Sequence, residues 1–173
     1  MVDGLDLQKL PRDIIRSRMI AIPQDPFILN DSVRLNMDPS QSVPDELIIN
    51  ALTKVHLWSI IEGQGGLDEE MKAQPLSQGQ RQLFCLARAL LQKSKILILD
   101  EATSNVDLET DRQMQEIIRE EFNNHTVITV AHRIETILDS DVVAVLENGA
   151  LVEFGSPKEL LSRPSLFKEL NHV

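Results

Sequence analysis

The sequence is short of cysteine, of positive charge and of long apolar runs, and each shortage closes a class of function. Of 173 residues only one is cysteine, Cys85, so no internal disulfide can form and a thiolate-rich zinc site is excluded. Lys and Arg number 17 against 27 Asp and Glu, a net charge of −10. That deficit argues against nonspecific nucleic-acid binding, which needs clustered Lys and Arg, and against a basic surface for anionic lipid. The longest uninterrupted apolar runs are about five residues, far short of the ~20 that cross a bilayer. The opening MVDGLDLQKLPRD carries no signal-peptide pattern. What is present is 42% hydrophobic residues, enough for a core and too many for disorder, in a length that suits one domain or a large piece of one. The expectation is a soluble α/β chain of a reducing compartment, which would work at a membrane only if another segment brought it there.

Hydrophobic periodicity divides the chain. Residues 1–29 read as short strands and turns, with Met19–Ile22 an apolar run stopped by Pro23 and Pro26. Asp31-Ser32-Val33 can start a helix. Pro44–Ile61 is predicted helical, because Leu47, Ile48, Ala51, Leu52, Val55, Trp58 and Ile61 fall at helical spacing. Gly63-Gln64-Gly65-Gly66 ends it, and 67–76 form a polar connector in which Asp68-Glu69-Glu70 are solvated. A second helix starts at Ser77, where Gln80 three residues on completes a capping-box pattern. Lys95–Leu99 and Thr126–Ala131 are short bounded apolar runs, the pattern of strands buried in a parallel sheet. Met114, Ile117, Ile118 and Phe122 mark a helix between them. A short helix around Ile134–Leu138 leads to a strand at Val142–Leu146. Asn148-Gly149 then predicts a tight hairpin turn into Leu151–Phe154, and Ser156-Pro157-Lys158-Glu159 a helix start. The strand–helix alternation over 95–146 predicts an α/β fold with a parallel sheet. Residues of about 30–92 read as a helical subdomain inserted in an α/β core made of 1–29 and 93–173.

Two segments carry chemistry. Ile96–Glu101, ILILDE, ends a buried strand in two carboxylates, where parallel sheets bind ligands. Asp100 could hold Mg²⁺ and Glu101 could polarise an attacking water; two solvated acids at a strand end remain the alternative. Leu76–Gln82, LSQGQRQ, places Ser at an N-cap, Gly two residues later and a helix behind, which favours phosphate through free N–H groups and the helix dipole. An ordinary well-capped helix remains the alternative there. Cys85 and Trp58 read as helical core, and His56, His125 and His172 have no ligand-like spacing.

Taken together, LSQGQRQLFCLARALL, then ILILDEATSNVD, then VITVAHR, resemble the nucleotide-binding domain of ATP-binding cassette (ABC) proteins. The stretch PRDIIRSRMIAIPQDPFILNDSVRLNMDP is similar to the second such domain of subfamily C exporters, the multidrug-resistance-associated type. The resemblance runs from about Val2 to about Leu161. It implies a P-loop NTPase-like, RecA-like parallel core with an inserted helical subdomain, and ATP and Mg²⁺ as cofactors. LSQGQ corresponds to the signature motif, ILILD to Walker B, Ser104–Asp107 to the D-loop and Ile22–Pro26 to the Q-loop. The roles implied are Asp100 and Gln24 at the metal, Glu101 and His132 in catalysis, and Gln24, Ser77, Gln78, Gly79, Gln80 and Asp107 at ATP. The partners implied are a second nucleotide-binding domain, head to tail, and the transmembrane domains of an exporter, with the site on the cytoplasmic side of the membrane.

One family element is absent. The P-loop is G-x-x-x-x-G-K-[ST], and none of the seven glycines is followed by Lys. The family carries this motif upstream of a strand-turn that Val2-Asp3-Gly4 resembles, so Met1 looks like the start of a truncated reading frame. The P-loop supplies a backbone nest, a Lys and a Mg²⁺-binding hydroxyl. The expectation is an ABC-type ATPase module that is inactive as this chain alone. The alternatives are a remnant that only donates its signature face, or a soluble ABC ATPase. The signature has Gln78 where many ABC proteins have Gly, and Met71–Pro75 lacks the Glu-Gly-Gly common in related exporters.

Overall fold

In the computed structural model, residues 1–71, 76–131 and 133–170 are described, and they fall into two units, Met1–Val130 and Ala131–Val173. In the first unit a three-stranded parallel sheet runs in the order β1 (Met19–Ile22), β2 (Ile96–Asp100), β3 (Thr126–Val130). Ile22 pairs with Leu99, and Leu99 with Thr129, so all three strands end on the same edge. Between the neighbours β1 and β2 lie α2 (Val33–Met37), α3 (Asp45–Lys54), α4 (Trp58–Gly63) and α5 (Gln78–Leu90). α6 (Leu108–Glu121) joins β2 to β3. The core is built from Ile20 and Ile22 of β1, Leu97 and Leu99 of β2, Leu83, Phe84 and Leu86 of α5, and Met114 and Ile118 of α6.

Several local expectations hold. Ser32 caps α2 by accepting from Leu35 N–H. Ser77 and Gln80 form both bonds of the capping box on α5, at 3.2 and 2.9 Å. Cys85 lies in the core, and burial pushes its thiol up.

Other expectations are corrected. Residues 12–18 form a helix, α1 (Arg12–Arg18), inside a stretch expected to hold only strands and turns; none of its residues is buried, so it leaves no apolar stripe to read. Pro44–Ile61 is two helices, not one. The break comes at His56, whose φ of +58° no helix accommodates, and it allows both Val55 and Leu57 to be buried. The connector is partly ordered, with Gly66–Asp68 a 3₁₀ turn and Leu67 buried, while Asp68, Glu69 and Glu70 are exposed as expected, the Asp68 carboxylate accepting from Arg34 Nε at 3.2 Å. Residues 72–75 of that connector lie outside the described residues. β3 is not buried as expected. It is an edge strand of the sheet, and Ile128 and Val130 are about half exposed (47% and 50%).

In the second unit, β4 (Val143–Glu147) and β5 (Ala150–Gly155) form an antiparallel hairpin. β4 therefore does not extend the parallel sheet, as the 95–146 pattern had suggested. The turn residues Asn148 and Gly149 both have positive φ, as a tight primed turn requires. A 3₁₀ turn at Ile134–Thr136 stands where a short helix was predicted. α7 (Pro157–Ser162) begins at Ser156, which accepts from Glu159 N–H. The start of α8 (Leu166–Leu170) is held by Glu153 of β5, whose carboxylate accepts from Leu166 and Phe167 N–H. Leu160, Phe167 and Val143 make the small core of this unit. No helix among the described residues is long and apolar enough to cross a membrane.

Candidate functional site

The shared carboxyl edge of the sheet collects the first group of residues. β1 leads into Pro23 and Gln24, and β2 ends in Asp100 and Glu101. Crevices beyond the carboxyl ends of parallel strands are where such sheets take ligands. Gln24 and Asp100 are exposed and Glu101 is half-buried. Glu101 leaves the strand in the left-handed region, φ +50°, with its N–H donating to Val130 O at 2.9 Å and its carbonyl accepting from Ser104 N–H at 3.0 Å. A non-glycine residue in this conformation costs about 1–2 kcal/mol. The neighbouring strand and the following turn hold it there.

The second group lies at the start of α5. Ser77 is exposed, and its hydroxyl accepts from Gln80 N–H. The first turn of any helix leaves N–H groups without intrahelical acceptors, here those of Gln78 and Gly79. Gly79 is buried, and a Cβ placed on it would lie 2.9 Å from both Cγ2 and Oγ1 of Thr110 in the first turn of α6. The close approach that this glycine permits inside the chain is therefore of α5 to α6. Thr110 is itself fixed: its Oγ1 donates to Asp107 Oδ2 at 2.7 Å, and Asp107 Oδ1 accepts from the N–H groups of Glu109 and Thr110. Those bonds from Thr110 hold the Asp107 carboxyl below its ordinary range. The structure thus brings Gly79 together with Asp107 through Thr110. His132 lies outside the described residues, as does His172.

The oxygen set at the sheet edge suits Mg²⁺ of one kind only. Among the described residues no three His, Cys, Asp or Glu side chains cluster as a metal cage. Mg²⁺ commonly takes one or two carboxylates together with waters and substrate phosphates. One exposed carboxylate, Asp100, with Glu101 next to it, fits that arrangement.

Sequence reasoning missed the polar residues behind these groups. Gln82 of α5 is 1% exposed, and its Nε2 donates to Pro23 O at 3.2 Å and to Gln24 O at 2.5 Å. Arg88, further along α5, donates from Nε to Asn36 O and from its terminal nitrogens to Asn36 Oδ1 and Phe27 O. The signal for Gln82 is in the sequence: it stands on the stripe Gly79, Gln82, Leu86, Ala89, where the period calls for an apolar residue.

A parallel sheet carries Gln24, Asp100 and Glu101 at its carboxyl edge, and a capped, glycine-bearing helix start packs on α6. The chain belongs to the ABC transporter family: the model of that description matches residues 1–104. It is 51% identical over 170 residues to the ABC transporter atnG of Emericella nidulans, a match covering 98% of this chain and 11% of that protein. It is 51% identical over 170 residues to ATP-binding cassette sub-family C member 2 of Rattus norvegicus, covering 96% of this chain and 11% of that one. Among solved structures, a bacterial Atm1-family ABC exporter with ATP bound superposes with a TM-score of 0.88 at 30% identity, over 98% of this chain and 31% of that chain. The chain thus spans about a ninth of the length of these two relatives.

Proposed function

We propose that this chain is the C-terminal portion of an ATP-binding and ATP-hydrolysing domain that powers export by a membrane transporter, on the cytoplasmic side. All of 1–173 belongs to that one domain, with 30–92 as its helical subdomain. The observation that carries the reading is the end of β2, where Glu101 is held in a strained conformation beside the exposed Asp100. Strain of this kind gathers at functional sites. The family and the similarity to exporters support the same reading.

In this reading Asp100 would hold Mg²⁺ directly or through a water, and Gln24 would sense the metal or the water and link the site to the membrane domains. The bound ion supplies neutralisation of charge on the phosphate oxygens. Glu101 orients or deprotonates the attacking water, and His132 contacts the γ-phosphate. The N–H groups of Gln78 and Gly79, with Ser77 and Gln80, serve a nucleotide held mainly by a second nucleotide-binding domain lying head to tail. Asp107 couples the two sites from the start of α6. Catalysis is positioning and charge stabilisation. A groove of about 360 Å³ bounded by Phe27, Leu29, Met71, Leu76 and Arg81 lies just beyond Gln24, with Phe27 70% exposed. It is the surface we assign to the transmembrane domains.

The test is phosphate release by two versions, this chain and one extended by a segment carrying G-x-x-x-x-G-K-[ST]. The chain alone should show negligible turnover and the extended version should be active. Glu101→Gln in the extended version should lower turnover about 10²–10⁴-fold, the usual contribution of a general base, while ATP still binds. Turnover by the chain alone, or near-normal turnover by Glu101→Gln, contradicts the proposal.

A further inference from the structure

Gln82 is a polar side chain in a place built for an apolar one. It stands on the buried stripe of α5 and is 1% exposed. Its Nε2 reaches two successive backbone carbonyls, those of Pro23 and Gln24, just where β1 leaves the sheet. Its Oε1 is buried without a hydrogen-bond partner among the described residues. The opposite orientation of the amide would aim an oxygen at two carbonyl oxygens, so the network fixes the donor side. An unpaired buried carbonyl oxygen is destabilising, and a Met or Leu would fill the same stripe without that cost. Packing therefore does not account for glutamine here; donation to Pro23 and Gln24 does.

We infer that Gln82 is a positioning residue, which ties the backbone of Gln24 to the helix whose first turn carries Ser77–Gly79 and so couples the two groups. The inference rests on the functional reading above. Gln82 follows Ser77 by little more than one helical turn, roughly 7 Å along the axis, and a helix so short moves as a rod. Any tilt or shift of α5 when its first turn meets a phosphate is carried by two hydrogen bonds to Pro23 and Gln24. The link runs within one chain, from the surface that serves the partner's nucleotide to the residue that senses this domain's own metal or water. Arg88 holds the next stretch of the same loop, through Phe27 O, so the loop is tied to α5 at two points. Gln82 is the tie nearest to Gln24.

The experiment mixes this chain with an ABC domain that carries a P-loop. It is run with a non-hydrolysable ATP analogue or with ADP, and reads association and backbone hydrogen exchange over residues 24–30 of this chain. In the wild type, association with the ATP analogue should slow exchange over 24–30 relative to ADP. In Gln82→Met, which keeps the length and loses both donors, association should persist while the exchange rates with the two nucleotides become equal. Gln82→Leu serves the same purpose if the Met variant is misfolded by its thermal midpoint. A merely structural role would raise exchange with both nucleotides alike and leave their ratio intact; that result overturns the inference and spares the functional reading. Absence of nucleotide-dependent association by the wild type overturns the functional reading and the inference with it.

Discussion

The start of α5 and the end of β2 are built on opposite terms. At the first turn of α5 the capping preferences agree with the fold. Ser77 caps, Gln80 returns the bond, Arg81 Nε donates to Leu76 O, and Gly79 lets two helices meet. The side chains of Ser77, Gln80 and Arg81 are engaged inside the chain, and the turn offers backbone N–H groups and a helix dipole outward. At β2 the apolar strand ends in a residue whose backbone is held against its preference, with an exposed carboxylate beside it. In the proposed reading the difference is one of task. A surface that binds phosphate through its backbone gains from rigidity. A group that acts on a reacting water must stand where the chemistry needs it, and the rest of the structure holds it there.

The comparison can be broken first at Gly79. Gly79→Ala places a methyl 2.9 Å from Thr110, a short β-branched side chain pinned by Asp107, so relief by rotation is closed. The overpacking should cost about 1–3 kcal/mol, more than the helix propensity Ala gains over Gly, about 1 kcal/mol. Urea midpoints should show the loss, and Thr110→Ala in the same chain should recover most of it. Equal stability of Gly79→Ala and wild type would mean that α5 does not need this contact with α6. The smaller effect is expected at the strained site. Glu101→Gly suits φ +50° and should leave stability unchanged or raise it by up to about 1 kcal/mol, because relief of strain offsets the entropy of Gly. A loss above that size would show that the conformation is not strained for glutamate.

These two regions were not equally legible. The capping box of α5 could be read from four residues, because the bonds that make it are local. The carboxylates after an apolar run placed Asp100 and Glu101 at a strand end, yet nothing in ILILDE announces a left-handed Glu101, which depends on β3 lying alongside. The helix break at His56 was hidden because Val55 and Leu57 are both apolar and the periodic count tolerates either. β3 reads as buried by composition, whereas Ile128 and Val130 are half exposed; which faces other elements cover is not encoded in a single segment. Gln82 was visible as a polar residue on an apolar stripe, while its acceptors lie 58 and 59 residues away in sequence. Gly79 is legible as part of a capped helix start; that Thr110 lies against it depends on the packing of α5 on α6, which no local segment encodes.

The central claim is that the two regions serve different nucleotides, β2 its own and α5 a partner's. The direct measurement is the mass in solution of the P-loop-extended version carrying Glu101→Gln, in ATP and in ADP. With hydrolysis blocked and binding kept, ATP should be trapped between the end of β2 in one copy and the start of α5 in another. The account predicts dimers in ATP and monomers in ADP. A single mass in both nucleotides, with ATP shown to be bound, would contradict it.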